Sequence, residues 1–134
     1  MLETQKDNRY AFSILSLLYP YLDYKNNNFH LDHLHADALY ADLTDELKEK
    51  YPYRIYNSIL NLQMLDKNEN ESKGKKALAD WVNESCDGQD TRKRFLDSHL
   101  IPDVDLSLAN FDKFIIERRK LLKKRLIKIF EGDE

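Results

Sequence analysis

Features that are scarce in the sequence exclude several classes of protein. A single cysteine, Cys86, leaves no partner for an intramolecular disulfide, and without a Cys-x-x-Cys pair a thiolate zinc site is not expected. No run of about 18 apolar residues occurs, so no membrane-spanning helix is predicted. Residues 1–8 are polar, unlike a secretory signal. Together these features predict a cytoplasmic protein without a membrane partner.

The residues that are present predict one folded domain with an uneven distribution of charge. Hydrophobic residues make up 42% of the 134 positions and charged residues 34%, which excludes a largely disordered chain. The net charge of -3 argues against indiscriminate binding to nucleic acid. However, residues 118–128 hold seven basic side chains and no acidic one. This basic segment is either a solvated helix face or a surface for a DNA backbone.

The pattern of apolar residues predicts an α+β fold that is mostly helical, with two short strands. Helices are predicted over 10–22, where Pro20 ends or kinks the helix, and over 37–50, 72–83, 92–99 and 109–130. Strands are predicted over 29–35 and 59–65, and residues 66–71 are predicted to form a polar turn. We expect a single domain over 1–134.

A cluster of ionisable side chains stands out in the first predicted strand. Residues 30–35 contain three imidazoles and one carboxylate, which are His30, Asp32, His33 and His35. Hydrolysis of a phosphodiester needs a base that takes a proton from water and a cation that neutralises the developing charge. An imidazole suits the first task, and carboxylate and amide oxygens suit a hard cation for the second.

Two segments resemble the ββα-metal, or HNH, nucleases. In that family the first strand ends in Asp-His, as in Asp32-His33, and the second strand and helix supply two asparagines, matched by Asn61 and Asn70 within residues 61–73. The spacing from Asn61 to Asn70 and on to Lys73 is also similar to that of the HNH domain of RNA-guided CRISPR nucleases. The resemblance covers residues 29–82 and implies that a small antiparallel β-hairpin and a helix form a ββα-metal core over about 29–83.

The resemblance implies a role for each matched residue of a metal-dependent DNA endonuclease. His33 is expected to be the general base, and Asn61 to brace the loop that orients this base. Asp32 and Asn70 are expected to bind Mg²⁺, with Mn²⁺ or Ni²⁺ as substitutes. Lys73 is expected to contact a phosphate at the start of the helix. The products should carry 5′-phosphate ends.

The flanking helices, over 9–22 and 92–130, resemble C-terminal regions of bacterial restriction-like proteins. In those proteins an HNH-type domain follows an N-terminal ParB-like domain, and some members cut modified phage DNA. The resemblance therefore implies a function in restriction or phage defence, with a ParB-like domain or subunit as partner, and a chain that is the C-terminal part of a longer protein. One departure is Ala36, which stands where the family often has proline.

Two other functions stay open at the level of sequence. The first is a nucleic-acid-binding or docking module without activity, which Ala36 and the net negative charge favour. The second is a structural zinc domain, because His33 and His35 lie two residues apart and would share one strand face. Asn68 competes with Asn70 as the metal ligand, and His30 is expected to be a surface or supporting group.

Overall fold

A two-stranded antiparallel sheet packed among helices forms the fold in the computed structural model, which describes residues 1–132. The strands are β1 (His30–His33) and β2 (Leu62–Leu65). The α-helices are α1 (Arg9–Leu18), α2 (Asp45–Lys50), α3 (Tyr53–Tyr56), α4 (Lys67–Lys73), α5 (Leu78–Ser85), α6 (Gln89–His99) and α7 (Phe111–Phe130), and short 3₁₀ segments span Asp37–Asp42, Ile59–Asn61 and Leu108–Asn110. The fold is thus α+β and mostly helical with a small antiparallel sheet, which confirms the predicted fold class.

Helix α1 begins at a side-chain cap and ends before a proline. The Asn8 side chain accepts a hydrogen bond from the Tyr10 backbone N–H at 2.8 Å, which satisfies one free donor of the first turn. Because Pro20 cannot continue a helix, α1 ends at Leu18 and not at residue 22 as predicted. Ala11, Leu15 and Leu18 turn towards the core.

The sheet brings the two resembling segments together. Its register pairs Asp32 with Gln63 and His33 with Leu62. All four residues of β2 are buried, whereas β1 is buried only at His33. Helix α4 follows β2 directly and contacts both strands. The order along the chain is therefore strand, strand, helix, with α4 against the sheet.

Helix α4 lies where a polar turn was predicted over 66–71, and it ends inside the segment 72–83 that was predicted as one helix. Asp66 accepts a hydrogen bond from the Glu69 N–H, and the Glu69 carboxylate accepts one from the Asp66 N–H. This capping box starts a helix in a segment that has almost no apolar residues. Gly74, with φ of 51°, then ends α4, and a new helix begins at Leu78. The periodicity of apolar residues signals α5 but not α4.

Helix α7 lies across the core and contacts α1 and the 3₁₀ segment before β2. Its buried residues repeat at helical spacing, as predicted, and are Phe111, Phe114, Ile115, Arg118, Leu122 and Leu126. The core joins this face to side chains of both strands and of α1, α3, α5 and α6. Among the described residues, no helix combines the length and the apolar character that crossing a membrane requires.

Candidate active site

His33 is the last residue of β1, and a chain of hydrogen-bonded side chains determines which of its ring nitrogens carries the proton. The imidazole is 7% exposed, and its Nε2 lies 2.8 Å from Asn57 Oδ1. Asn57 Nδ2 donates to Gln5 Oε1 at 3.2 Å, and Gln5 Nε2 donates to the Arg54 carbonyl, so Asn57 presents its oxygen to the ring. In the neutral ring Nε2 therefore carries the proton, and Nδ1 keeps the free lone pair.

The environment of His33 disfavours the protonated ring. Burial lowers the pKa of His33 below its ordinary value, and the hydrogen bond to Asn57 opposes this shift only in part. The nearest carboxylate to Nε2, Asp37 Oδ1, lies at 3.8 Å, and Tyr56 stacks on the ring at a centroid distance of 6.4 Å. A neutral imidazole with an unprotonated nitrogen is the form that acts as a general base.

An open cleft of about 660 Å³ lies in front of His33. Lys6 and His30 line the cleft with His33, and so do Asn57 and Tyr53. The Lys6 ammonium is close enough to lower the pKa of His33 further. Asp32, Asn70 and Lys73 do not line this cleft. Asp7 and Asp37 line the cleft as well, so a phosphate there would meet the imidazole and Lys6 beside two carboxylates.

Asp32 turns towards α4, because successive side chains of a strand point to opposite faces. Asp32 Oδ2 lies 3.1 Å from Lys73 Nζ and accepts a hydrogen bond from Gln63 Nε2 at 3.1 Å. The carboxylate is 15% exposed, and Oδ1 accepts no hydrogen bond from the described residues. The structure therefore separates the two neighbours, with His33 at the cleft and Asp32 at the interface of sheet and helix.

The predicted contact of Lys73 with a phosphate does not match its position. Lys73 is fully buried and, besides the ion pair with Asp32, donates to the His33 carbonyl at 2.8 Å. Its ammonium also lies 5.7 Å from the centroid of the Trp81 ring. Lys73 sits in the last turn of α4, which faces the sheet, so its side chain points into the protein and not to the surface.

Asn70 lies one helical turn before Lys73 and is half-buried, and its side chain has no hydrogen-bond partner in residues 1–132. Together with Asp32 Oδ1 it offers the carboxylate and amide oxygens that suit Mg²⁺. Gln63 Oε1, which is buried without a partner, is a further acceptor beside Asp32. The donor chemistry thus fits a hard cation. In the same part of the chain, no group of three or more His, Cys, Asp or Glu residues is arranged to hold a metal ion.

Asn61 contacts the backbone that follows β1. Its side chain is fully buried; Oδ1 accepts from the His35 N–H at 2.9 Å, and Nδ2 donates to the carbonyls of His35 and Tyr56, both at 3.0 Å. The predicted brace therefore has a physical counterpart, since one amide group joins the segment after the base to the segment before β2.

Arg118, which the sequence analysis counted in the basic segment 118–128, contacts the backbone on either side of Asn61. The guanidinium is fully buried and donates to the carbonyls of Leu60 and Leu62, on either side of Asn61, at 3.3 and 2.9 Å. It also donates to the Tyr19 hydroxyl at 3.0 Å. The signal in the sequence is a single cation among the apolar residues that repeat at helical spacing in α7.

His35 is placed in an apolar environment. Its ring packs edge-on against Phe111 and Phe114 at centroid distances of 5.4 and 4.5 Å, and its Nε2 is buried without a partner. Burial, and in second place the charge of Lys73, lowers the pKa of His35 to about 3. The imidazole is therefore neutral and packs as an aromatic core residue.

Comparisons with known proteins do not assign the chain to a family. No family model matches the sequence, and no curated protein matches it significantly.

Proposed function

We propose that this chain is a metal-dependent DNA endonuclease domain that hydrolyses phosphodiester bonds, with His33 as the general base. The observation that carries the proposal is the His33 imidazole at the end of β1, which lines an open cleft, whose Nε2 is held by Asn57 and whose pKa is lowered by burial. The strand, strand, helix arrangement around Asp32 and Asn70, together with the Asn61 brace, agrees with the ββα-metal resemblance.

In the proposed reaction His33 Nδ1 takes a proton from a water molecule as the water oxygen attacks phosphorus. The bond from phosphorus to the 3′ oxygen breaks, and this oxygen takes a proton from solvent, so the products are a 3′-hydroxyl and a 5′-phosphate. Lys6 provides positive charge for the phosphate in the cleft. Asp32 and Asn70, which lie outside this cleft at the interface of sheet and helix, would hold Mg²⁺, or Mn²⁺ or Ni²⁺ in its place. The chemistry that such a cation would supply is positive charge for phosphate oxygens that reach it.

Plasmid nicking in the presence of Mg²⁺ or Mn²⁺ tests this proposal. His33→Ala should abolish nicking, and EDTA should do the same. Asn68→Ala is the control, because Asn68 is exposed and does not line the cleft, and it should retain most of the activity. Equal nicking by the wild type and His33→Ala would exclude His33 as the base.

The pH profile gives a second readout of the proposed base. The unprotonated ring is the active form, and burial lowers its pKa. The rate should therefore rise with pH through a midpoint below 6.5 and stay level at neutral pH. A midpoint well above 6.5 would contradict a buried imidazole as the titrating group.

A second candidate is a nucleic-acid-binding or docking module that keeps this fold without cleavage. The buried Lys73 ammonium favours it, because this cation already neutralises Asp32 Oδ2 and competes with a metal for the carboxylate. DNA binding that survives removal of Asp32 and Asn70, with no nicking in any divalent metal, would support this candidate against the nuclease.

The biological setting belongs to the same proposal. It combines a cytoplasmic location with restriction or phage defence and a ParB-like domain or subunit that selects the DNA target. The basis for this setting is the resemblance of the flanking helices to restriction-like proteins, and plating assays with phage in cells that express active and His33→Ala forms would test it.

A further inference from the structure

A basic groove lies between α6 and the second half of α7. It consists of two adjoining depressions of about 310 and 330 Å³, which share Asp97 and Arg125 in their walls. Lys124 and Lys128 line the first depression, and Arg94 lines the second. Four cations therefore surround one carboxylate in a continuous concave surface.

Among the described residues, the cations of this basic groove lack partners, unlike those in the first half of α7. Within residues 1–132 none of Arg94, Lys124, Arg125 and Lys128 forms an ion pair or a side-chain hydrogen bond. By contrast, Lys113 and Lys120 both pair with Glu117 in the first half of the helix. Unneutralised cations gathered in a concavity produce a local positive potential on a chain whose net charge is -3, and this potential attracts a polyanion.

An exposed aromatic ring borders the same groove. Tyr21 is 84% exposed, follows the proline after α1 and lines the second depression together with Arg94 and Arg125. Tyr21 also lines a neighbouring hollow of about 120 Å³ that reaches Glu69 and His99. Since Glu69 directly precedes Asn70, this series of depressions leads from the basic groove to the helix that carries the proposed metal ligand.

We propose that the basic groove binds the sugar–phosphate backbone of one DNA strand, with a base stacked on Tyr21. Cations that follow a backbone, together with an exposed aromatic ring, are the combination by which proteins bind single-stranded nucleic acid. The choice of DNA rests on the proposed function. The charge and the shape of the groove are observations that do not depend on that function.

An anionic membrane is the other polyanion to consider, and the groove does not suit it. Membrane-surface helices place apolar side chains beside their cations so that these side chains enter the lipid. The exposed apolar residues of α7, which are Ile116, Ile127 and Phe130, line neither depression of the groove. A concave surface of cations also fits a narrow polyanionic strand better than a flat bilayer.

Fluorescence anisotropy tests the proposal with a labelled single-stranded DNA of about 20 nucleotides, long enough to fill a binding site of the usual size. The titrations use the full chain in EDTA, which prevents metal-dependent cleavage, over a series of KCl concentrations. The groove variant is Arg94→Gln/Lys124→Gln/Lys128→Gln, whose three positions are exposed. The matched control is Lys48→Gln/Lys50→Gln/Lys113→Gln, which removes the same charge from α2 and from the opposite end of α7. The Lys50–Asp112 ion pair joins these two helices.

At moderate salt the groove variant should bind about tenfold or more weakly, and its slope of log affinity against log salt should fall by about 2, because three phosphate contacts are lost. The control should change affinity by less than about twofold. Tyr21→Ala should weaken binding about fivefold and leave the salt slope unchanged, since stacking releases no counterions.

Several results would overturn the proposal: no binding of the wild type to DNA, an equal loss in the groove variant and its control, or tighter binding to an RNA of the same sequence. Binding to vesicles that contain phosphatidylserine, with none to DNA, would assign the groove to a membrane instead. Plasmid nicking by the wild type and the groove variant separates the two proposals. If the wild type binds DNA through the groove and never cuts plasmid, the proposed nuclease fails while the groove assignment stands. If the wild type cuts plasmid and the groove variant binds DNA as tightly as the wild type, the groove assignment fails while the nuclease stands.

Discussion

Asn61 holds the backbone of His35 on both sides, accepting from its N–H at 2.9 Å and donating to its carbonyl at 3.0 Å. The fully buried Asn61 side chain thus satisfies both backbone groups of His35, as the backbone of a neighbouring strand does in a β-sheet. Because His35 follows β1 by two residues, this contact determines the path of the chain directly after His33. Asn61 is thus the residue that connects the candidate base to the centre of the fold.

Asn61→Ala should destabilise the protein strongly. The change leaves the His35 N–H and the carbonyls of His35 and Tyr56 buried without partners, and we expect the free energy of unfolding to fall by about 3 kcal/mol. Urea unfolding at neutral pH measures this. Asn68→Ala is the control, because Asn68 is exposed, and it should change stability by less than about 0.5 kcal/mol. A similar small effect at both positions would contradict the role of Asn61.

His35 should make the folded state sensitive to acid. Its pKa is about 3 in the folded protein and near 6.5 in the unfolded chain, so below pH 6.5 the unfolded chain takes up a proton that the folded protein does not. Stability is therefore complete at neutral pH and declines as the pH falls. His35 alone should lower the free energy of unfolding by about 2 kcal/mol between pH 7 and pH 5.

The variant His35→Leu isolates this contribution. Its loss of stability between pH 7 and pH 5 should be smaller than that of the wild type by about 2 kcal/mol, whatever its stability at pH 7. Urea unfolding at the two pH values gives the comparison. His30→Ala removes an exposed imidazole and should lose as much stability between pH 7 and pH 5 as the wild type does. An unchanged dependence in His35→Leu would show that other groups cause the acid sensitivity.

Lys73 and Asp32 should be strongly coupled. Lys73→Met leaves the Asp32 carboxylate without its cation, and Asp32→Asn leaves a fully buried ammonium, so each change should cost about 3 kcal/mol. The double variant removes both charges and should cost about 2 kcal/mol less than the sum. A double-mutant cycle by urea unfolding, in EDTA, measures this coupling. Additive effects would mean that the pair is not formed in solution.

Arg118 and its neighbour Arg119 form a matched pair for a further test. Arg118→Leu removes the donors of three buried acceptors and should lower the free energy of unfolding by about 3 kcal/mol. Arg119→Leu loses only a peripheral ion pair with Glu3, whose atoms lie 3.6 Å apart, and should change stability by less than about 1 kcal/mol. Thermal unfolding ranks the two variants, and equal melting temperatures would argue against the buried position of Arg118.

Some of the fold could be predicted because it depends on local patterns. The stripe of α7 and the presence of two short strands follow from the spacing of apolar residues, while their antiparallel pairing was implied by the resemblance to ββα-metal nucleases. Helix α4 was missed because its signal is the Asp66–Glu69 capping box and not an apolar stripe. That signal was present in the sequence, so this error was avoidable.

The environment of the candidate site was not predictable in the same way. Asn57 is 24 residues from His33 in sequence, and nothing near it marks it as the partner of an imidazole. The sequence also shows a lysine at 73 without showing whether α4 turns it to solvent or to the sheet. Only the packing of α4 against β1 buries that ammonium beside Asp32.

Composition and periodicity by themselves determined a mostly helical α+β chain, a cluster of imidazoles at the end of a strand and a basic last helix, because these properties depend on residues close together in sequence. Tertiary structure alone decided that Asp32 and His33 face different environments, that His35 is a neutral core residue and that Arg118 clamps the chain around Asn61. Those outcomes depend on which distant elements exclude water from each side chain, and burial of that kind is set by the packing of the whole domain.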